Sequence, residues 1–238
     1  MSAHDVMCAN PTRFAIVAWQ NMDLLDFAGP CEVLSHFKNI TGERLCTLTV
    51  AADKDRVSTP QGITIGRDVT IDKMISHIAD FDVLLIPGGH GFSNDNPPNV
   101  PSVTRVIEAF LSLPSRGKQH QERFILSICA GAFFLAQAGI LSGRTATAHY
   151  GRLTDLSLFA NRHGTGGTRV VRQHYVDCGV DEERGLRIIT SGGITSGLDA
   201  TLYLAECLFG KDVAEAASAT LDYTWRREMT PFGFSQHL

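Results

Sequence analysis

From residue 124 to residue 136 the chain reads FILSICAGAFFLA, and this stretch decides its fold. An apolar run ends at Cys129, passes through Ala130 and Gly131, and resumes with the spacing of a helix. The pattern predicts a strand, a sharp turn and a helix, with the Cys129 thiol at the turn. Because helix N-termini stabilise negative charge, we expect this position to favour the thiolate. The same pattern is also typical of a buried structural cysteine at the end of a strand.

Strands and helices are predicted to alternate along the rest of the chain. Apolar runs predict buried strands at residues 13–19, 45–52, 82–87 and 187–190. Helical spacing appears at residues 28–37, 103–113, 151–161, 198–209 and 213–221. This alternation predicts an α/β fold, a doubly wound and mostly parallel sheet flanked by helices. Ligands bind such sheets beyond the carboxyl ends of the strands, where the loops at residues 88–89, 129–130 and 192–193 are expected.

The composition argues against several kinds of partner. The 238 residues carry a formal net charge of −4 and no basic stripe, which argues against nucleic acid. The apolar runs are too short to span a bilayer, so no membrane partner is predicted. Residues 1–11 lack the apolar core of a secretion signal, which predicts a cytoplasmic protein. We expect a disordered tail at residues 1–12 and a single domain at residues 13–238, with a C-terminal arm at residues 211–238.

The cysteines are scattered and lack the short spacing of a metal or redox motif. They are Cys8, Cys31, Cys46, Cys129, Cys178 and Cys207. Only Cys129 has a sequence context that suggests chemistry, and the others are expected to be packing or surface residues. The sequence shows no phosphate-binding loop and no dinucleotide-binding fingerprint, so we predict no cofactor and no metal.

Five motifs together resemble the ThiJ/PfpI superfamily, whose fold is flavodoxin-like and of the class I glutamine amidotransferase type. They are LDFAGPCEVL at 25–34, LIPGG at 85–89, SICAG at 127–131, ATAHY at 146–150 and SGGITSGLD at 191–199. Two branches are the most similar: isocyanide hydratase, and the ligand-binding half of regulators with an AraC-type DNA-binding domain. Only 29 residues follow Phe209, fewer than the additional helix-turn-helix units would need. We therefore expect the hydratase branch.

The resemblance implies catalytic roles for three side chains. Cys129 is the nucleophile, which attacks the terminal carbon of an isonitrile to form a thioimidate that water hydrolyses. Asp26 corresponds to the acid beside the cysteine in the hydratase branch and moves protons in both half-reactions. Asp26 also has a structural interpretation as a helix-capping or first-turn acid, and Glu32 is the second candidate for the acid. His149 either orients the thiol and exchanges protons, or is a structural histidine.

Further residues are predicted around this site. The backbone N–H groups of Gly89 and Ala130 are expected to form an oxyanion hole. His90 is expected at the rim of the pocket. Thr195 and Ser196 are expected to contact substrate or to cap the following helix, and capping is the favoured interpretation. The hydratase branch usually has threonine after the cysteine, where this chain has Ala130; the N–H group is kept and a hydroxyl is lost.

The resemblance implies an isocyanide hydratase-like lyase that acts as a homodimer. It would add water to a small electrophile through the Cys129 thiol, with an isocyanide as the favoured substrate and an N-substituted formamide as the product. One alternative is a glyoxalase or deglycase acting on dicarbonyls, although those members usually have Glu where this chain has Asp26. Another alternative is a ligand or oxidative-stress sensor in which Cys129 is oxidised to sulfinate.

Overall fold

The computed structural model describes residues 11–92, 99–117 and 122–227. The strands are β1 (Thr12–Val17), β2 (Cys46–Ala52), β3 (Arg56–Ser58), β4 (Thr64–Gly66), β5 (Val69–Thr70), β6 (Val83–Ile86), β7 (Arg123–Ser127), β8 (Thr145–Ala146), β9 (Arg169–Val170), β10 (Tyr175–Asp181) and β11 (Leu186–Ser191). The helices are α1 (Leu24–Ser35), α2 (Ile71–Ser76), α3 (Pro101–Leu111), α4 (Ala132–Gln137), α5 (Leu153–His163), α6 (Ser196–Phe209) and α7 (Lys211–Thr220).

Seven strands form the central sheet, in the order β10-β11-β7-β6-β1-β2-β5. All neighbouring strands are parallel except β10 and β11, which pair antiparallel. The predicted mostly parallel α/β sheet is therefore confirmed. After β5 and α2 the chain crosses to the other side of β1, so the strand order reverses between β1 and β6. In sheets of this kind, ligands bind beyond the carboxyl ends of the strands beside such a reversal.

The three central strands β1, β6 and β7 are apolar runs in which polar and apolar residues do not alternate, and their burial explains this pattern. β6 and β7 are buried along their whole length, and β1 is buried from Phe14 to Val17. Strands covered by helices on both faces have no solvent-facing side, so a period of two is not expected. The short strands β3 and β5 and the six-residue helix α2 were not predicted, because elements of two to six residues carry too little periodic signal.

Helix α1 begins earlier than the sequence suggests. Gly29 and Pro30 predict a start near residue 28, but Asp23 caps the helix by accepting a hydrogen bond from the Leu25 N–H at 3.0 Å. Pro30 lies inside the helix and lacks the N–H that would bond to the Asp26 carbonyl. The earlier start places Asp26 in the first turn, which fits the structural interpretation of that residue as well as the catalytic one.

The predicted tail and C-terminal arm are only partly within the described residues. Residues 1–10 of the predicted tail and residues 228–238 of the predicted arm lie outside the described residues. β1 already begins at Thr12, and the first ten residues of the arm form α7. Within residues 11–92, 99–117 and 122–227, no helix has both the length and the apolar composition needed to cross a bilayer.

Candidate active site

Cys129 occupies a strained turn between β7 and α4. Its backbone φ is +57°, a left-handed conformation that costs a non-glycine residue about 1–2 kcal/mol. The Cys129 N–H donates to the Gly192 carbonyl at 3.2 Å, which ties the turn to the loop after β11. A Cβ on Gly131 would lie 2.5 Å from the Ile86 carbonyl oxygen, so only glycine allows α4 to approach β6 this closely. The predicted strand, sharp turn and helix, with Cys129 at the turn, are confirmed.

The carboxyl group of Asp26 is completely buried beside this turn. Neither of its oxygens has a well-formed hydrogen bond with any of the described residues. A Cβ on Gly88 would lie 2.8 Å from Asp26 Oδ2 and 2.6 Å from the Ala130 nitrogen, so the carboxyl group and this N–H flank Gly88. Gly88 was not predicted as a site residue; its signal was the glycine pair directly after β6.

Burial, and to a smaller extent the charge of Asp23, raise the pKa of Asp26 to about 8. The Cys129 thiol and the Gly88 N–H lower the pKa of Asp26, but by less than burial raises it. Near pH 7 the protonated form therefore predominates. A protonated carboxyl group can donate a hydrogen bond and can deliver a proton, neither of which an ordinary surface aspartate does at this pH.

The thiol of Cys129 has a raised pKa, contrary to the expectation of a stabilised thiolate. Burial is the main cause and the negative charge of Asp26 the second, while the Ala130 N–H lowers the pKa of Cys129. One N–H group, two residues before the six-residue helix α4, does not outweigh the removal of the sulfur from water. When Asp26 is protonated, its repulsion of the thiolate is absent. The two groups therefore titrate as a coupled pair.

A high pKa alone does not distinguish Cys129 from the other thiols. Burial also raises the pKa of Cys31 to about 12 and that of Cys46 to about 11. Cys129 differs because a buried carboxyl group lies against it. The five described cysteines are all free thiols.

His149 and Cys129 meet at Gly193. A Cβ on Gly193 would lie 2.5 Å from His149 Cδ2 and 2.9 Å from Cys129 Sγ, so both side chains pack against the glycine backbone. His149 Nδ1 accepts a hydrogen bond from the Gly151 N–H at 3.2 Å, which assigns its proton to Nε2. Burial and the nearby Arg152 charge lower the pKa of His149, so the ring is neutral at pH 7.

Gly89 and His90 bring β6 together with the start of α1. A Cβ on Gly89 would lie 2.5 Å from the Asn21 carbonyl oxygen, and the His90 N–H donates to the same oxygen at 2.9 Å. The His90 side chain is exposed and lines a cleft of about 330 Å³ with Trp19. The described residues that line this cleft do not include Cys129.

Two predicted roles are wrong. Glu32 does not face the cysteine: its side chain is 65% exposed and pairs with His36 at 3.3 Å, because residue 32 is six positions after Asp26 and points away from the sheet. Thr195 precedes α6 but makes no capping hydrogen bond; its hydroxyl accepts from Arg226 instead. The Ser196 hydroxyl donates to the Gly193 carbonyl and contacts His174 Nδ1 at 3.3 Å.

The described residues contain no group of three or more His, Cys, Asp or Glu side chains placed to hold a metal ion. The candidate site combines the Cys129 thiol, the uncharged carboxyl group of Asp26 and the neutral imidazole of His149, which pack around Gly88 and Gly193. Such a set can support nucleophilic attack with proton transfer.

Several known proteins are similar to this chain over most of its length. The family model described as the DJ-1/PfpI family matches residues 12–206. The isonitrile hydratase of Pseudomonas putida is 28% identical over 212 residues, covering 89% of this chain and 78% of that protein. The HTH-type transcriptional regulator GbdR of Pseudomonas aeruginosa is 26% identical over 215 residues, covering 90% of this chain and 51% of the regulator.

Solved structures share the same fold. An AraC family transcriptional regulator from Pseudomonas putida has a TM-score of 0.66 at 18% identity, covering 89% of this chain and 100% of that one. Drosophila melanogaster DJ-1beta has a TM-score of 0.66 at 20% identity, covering 91% of this chain and 100% of that one. At these identities the similarity concerns the fold alone.

Proposed function

The chain belongs to the DJ-1/PfpI family, and from that premise we propose that it is a cysteine-dependent lyase that adds water to an isocyanide. The observation that carries the proposal is the buried, protonated carboxyl group of Asp26 against the Cys129 thiol. The similarity to isonitrile hydratase supports the substrate class. Hydration converts R–N≡C and H2O into R–NH–CHO, so no redox step and no cofactor are required.

The first half-reaction joins the sulfur of Cys129 to the terminal carbon of the isocyanide. The thiol proton passes to Asp26 as the carboxyl proton passes to that carbon, which gives the thioimidate Cys129–S–CH=N–R. The carbon–nitrogen triple bond becomes a double bond, and Asp26 ends protonated as it began. Because the pKa of Asp26 is about 8, neither transfer requires a strong acid or a strong base near pH 7.

The second half-reaction adds water to the thioimidate carbon. Asp26 accepts a proton from the water as its own proton goes to the nitrogen, and the C–S bond then breaks. The departing sulfur is protonated from the new hydroxyl group by way of Asp26, which leaves the formamide and a free thiol. The Nε2–H of His149, on the other side of Gly193, is available to hydrogen-bond the polar atoms of the intermediate.

The test is turnover of p-nitrophenyl isocyanide, followed by the absorbance of the formamide. Wild type is compared with Cys129→Ala and with Cys207→Ala, a matched control that removes an exposed free thiol. We expect turnover by wild type and by Cys207→Ala and none by Cys129→Ala. Absence of turnover by folded wild-type protein contradicts the isocyanide assignment, and methylglyoxal then becomes the next substrate to assay.

A second function is supported by the same carboxyl group. A protonated Asp26 would donate a hydrogen bond to a sulfinate on Cys129, as a thiol-based oxidation sensor requires. Intact-mass measurement after peroxide treatment tests this function. Two added oxygens on Cys129 in wild type, and fewer in Asp26→Ala, would favour the sensor if no electrophile is turned over.

The assembly and the compartment are also proposals. Leu25 on α1 and Ile194 before α6 are large apolar residues that stay exposed, and Leu25 lies near Leu198 across Gly29. We propose that this apolar surface supports a homodimer, which sedimentation velocity would detect as twice the 25.9 kDa chain mass. A single domain over residues 13–238 and a cytoplasmic location stay predictions, which limited proteolysis and cell fractionation check.

A further inference from the structure

The segment after α7, residues 221–227, folds back onto the first turn of α6; we name it the return segment. Asp199, in that first turn, is completely buried. Within the return segment, the Arg226 backbone N–H donates to Asp199 Oδ1 at 2.9 Å and its guanidinium to Oδ2 at 2.6 Å. The Tyr223 hydroxyl donates to Oδ1 at 3.0 Å. Asp199 therefore anchors the return segment through three hydrogen bonds.

The same guanidinium reaches the loop before α6, residues 192–195, which we name the pre-α6 loop. Arg226 Nη2 lies 3.2 Å from the Thr195 hydroxyl and 2.9 Å from that of Tyr223. A single planar group thus bridges the return segment, the buried carboxylate and the end of the pre-α6 loop. All three side-chain contacts are made by Nη2. Lysine keeps the charge, but its ammonium ends one bond nearer to the backbone than Nη2 does.

The opposite side of the pre-α6 loop forms a wall of the candidate site. Gly193 packs against Cys129 Sγ and the His149 ring, and the Gly192 carbonyl accepts the Cys129 N–H. The position of this loop therefore determines how closely the thiol is covered. Arg226 is held two residues along the chain from Gly193, through Thr195.

We propose that Arg226 is a positioning residue that fixes the pre-α6 loop against Cys129 and His149. The inference concerns the proposed site but does not depend on its substrate, because the coverage of the thiol can be measured without turnover. Loss of the Arg226 contacts would release Gly193 from the sulfur. Covering of the thiol is what keeps its reactivity low, so the released thiol would react faster with a small alkylating agent while catalysis became slower.

Arg227 is the matched control. It belongs to the same return segment, but it pairs with Glu206 at 2.6 Å and with Glu215 at 2.7 Å. These acids lie in the last turns of α6 and on α7, away from the pre-α6 loop. Replacing Arg227 loosens the same segment and removes a charge of the same sign, without touching Thr195 or Asp199.

The experiment measures alkylation of Cys129 by iodoacetamide from pH 6 to pH 10, with peptide mass spectrometry to separate it from the other cysteines. We expect Arg226→Met to react about tenfold faster at pH 7.5, which corresponds to a fall of about one unit in the titration midpoint. Arg226→Lys should lie between Arg226→Met and wild type. Arg227→Met should follow the wild-type profile. Asp23, Asp26 and His149, the titratable neighbours of the thiol, are unchanged in every variant.

A wild-type alkylation profile for folded Arg226→Met overturns the inference, and so does an equal shift in Arg227→Met. If Arg226→Met does not fold, the alkylation profile of Thr195→Val tests the inference instead, because this substitution removes only the hydroxyl that Arg226 contacts. A profile shifted in the same direction supports the positioning role, and an unshifted one refutes it. If wild type turns over no isocyanide, the alkylation result still stands, so failure of the proposed function and failure of this inference are distinguishable.

Discussion

Asp26 and Asp199 are both completely buried, yet their surroundings are opposite. Asp199 receives hydrogen bonds from a guanidinium, a phenol and a backbone N–H. Asp26 has no well-formed hydrogen bond among the described residues, and no cation contributes to its shifted pKa. Buried polar groups are nearly always satisfied when their role is structural. A buried carboxyl group with neither a cation nor a well-formed hydrogen bond therefore indicates chemistry, whereas a fully bonded one indicates a structural role.

The sharpest way to test this contrast is Asp26→Asn, which keeps the shape and removes the exchangeable proton. We expect kcat for isocyanide hydration to fall about 1,000-fold, since general acid–base groups contribute about 100- to 10,000-fold. Steady-state turnover measures the loss, and circular dichroism checks the fold. Retention of more than a tenth of the wild-type rate would show that Asp26 is not the proton carrier.

The pH dependence of stability should separate the two aspartates next. The pKa of Asp26 is 3.8 in the unfolded chain and about 8 in the folded one, so between these values only the folded chain holds the proton. Raising the pH then favours unfolding, by at most about 1.4 kcal/mol per pH unit, and the effect levels off above pH 8. Below pH 4 Asp26 is protonated in both the folded and the unfolded chain, so its titration no longer changes the unfolding free energy.

We therefore expect the difference in unfolding free energy between Asp26→Asn and wild type to grow by about 3 kcal/mol from pH 5 to pH 8. Urea unfolding at each pH measures it. A difference that does not change with pH would mean that Asp26 titrates normally in the folded protein.

Asp199→Asn should have the opposite profile to Asp26→Asn, with a loss of stability and a smaller loss of activity. Removing one member of a buried ion pair costs about 3–5 kcal/mol, and we expect about 2 kcal/mol because Arg226 is partly exposed. Urea unfolding at pH 7 measures the loss, with Asp26→Asn as the matched buried control. Equal destabilisation by both substitutions would remove the distinction drawn between them.

The smallest expected effect is that of Glu32→Gln, a change to an exposed acid on the same helix as Asp26. It breaks only a surface pair with His36, so we expect a change below about 0.5 kcal/mol in the unfolding free energy and an unaltered turnover rate. Thermal unfolding and isocyanide turnover check it. A large fall in turnover would restore Glu32 as a candidate for the catalytic acid.

The central fold can be predicted from the sequence because the buried strands carry a clear hydrophobic signal. β1, β6 and β7 each contain a short, continuous apolar run, and Gly131, two residues after Cys129, marks a turn in which a helix approaches a strand closely. The start of α1 could not be read in the same way. Gly29 and Pro30 are typical of a helix start, and only the bond from Leu25 shows that Asp23 caps the helix.

For the candidate site, the sequence identifies residue types but not their electrostatics. Asp26 and Cys129 were predicted together, whereas the direction of the thiol pKa was wrong, because it depends on how much water the fold removes. The contacts of Gly193 and Arg226 were not predictable either. Arg226 is 27 residues from Asp199, and no periodic pattern connects a loop after one helix with the first turn of another.

The return segment also has a consequence for the order in which the site is completed during synthesis. A polypeptide leaves the ribosome N-terminus first, so Asp26, Cys129 and the strands of the central sheet emerge before Arg226. Asp199 emerges 27 residues ahead of its cation. A nascent chain can therefore bring Cys129 and Asp26 together before Arg226 is available to hold the pre-α6 loop over them. Arg226 would close the site only after the return segment itself has been synthesised.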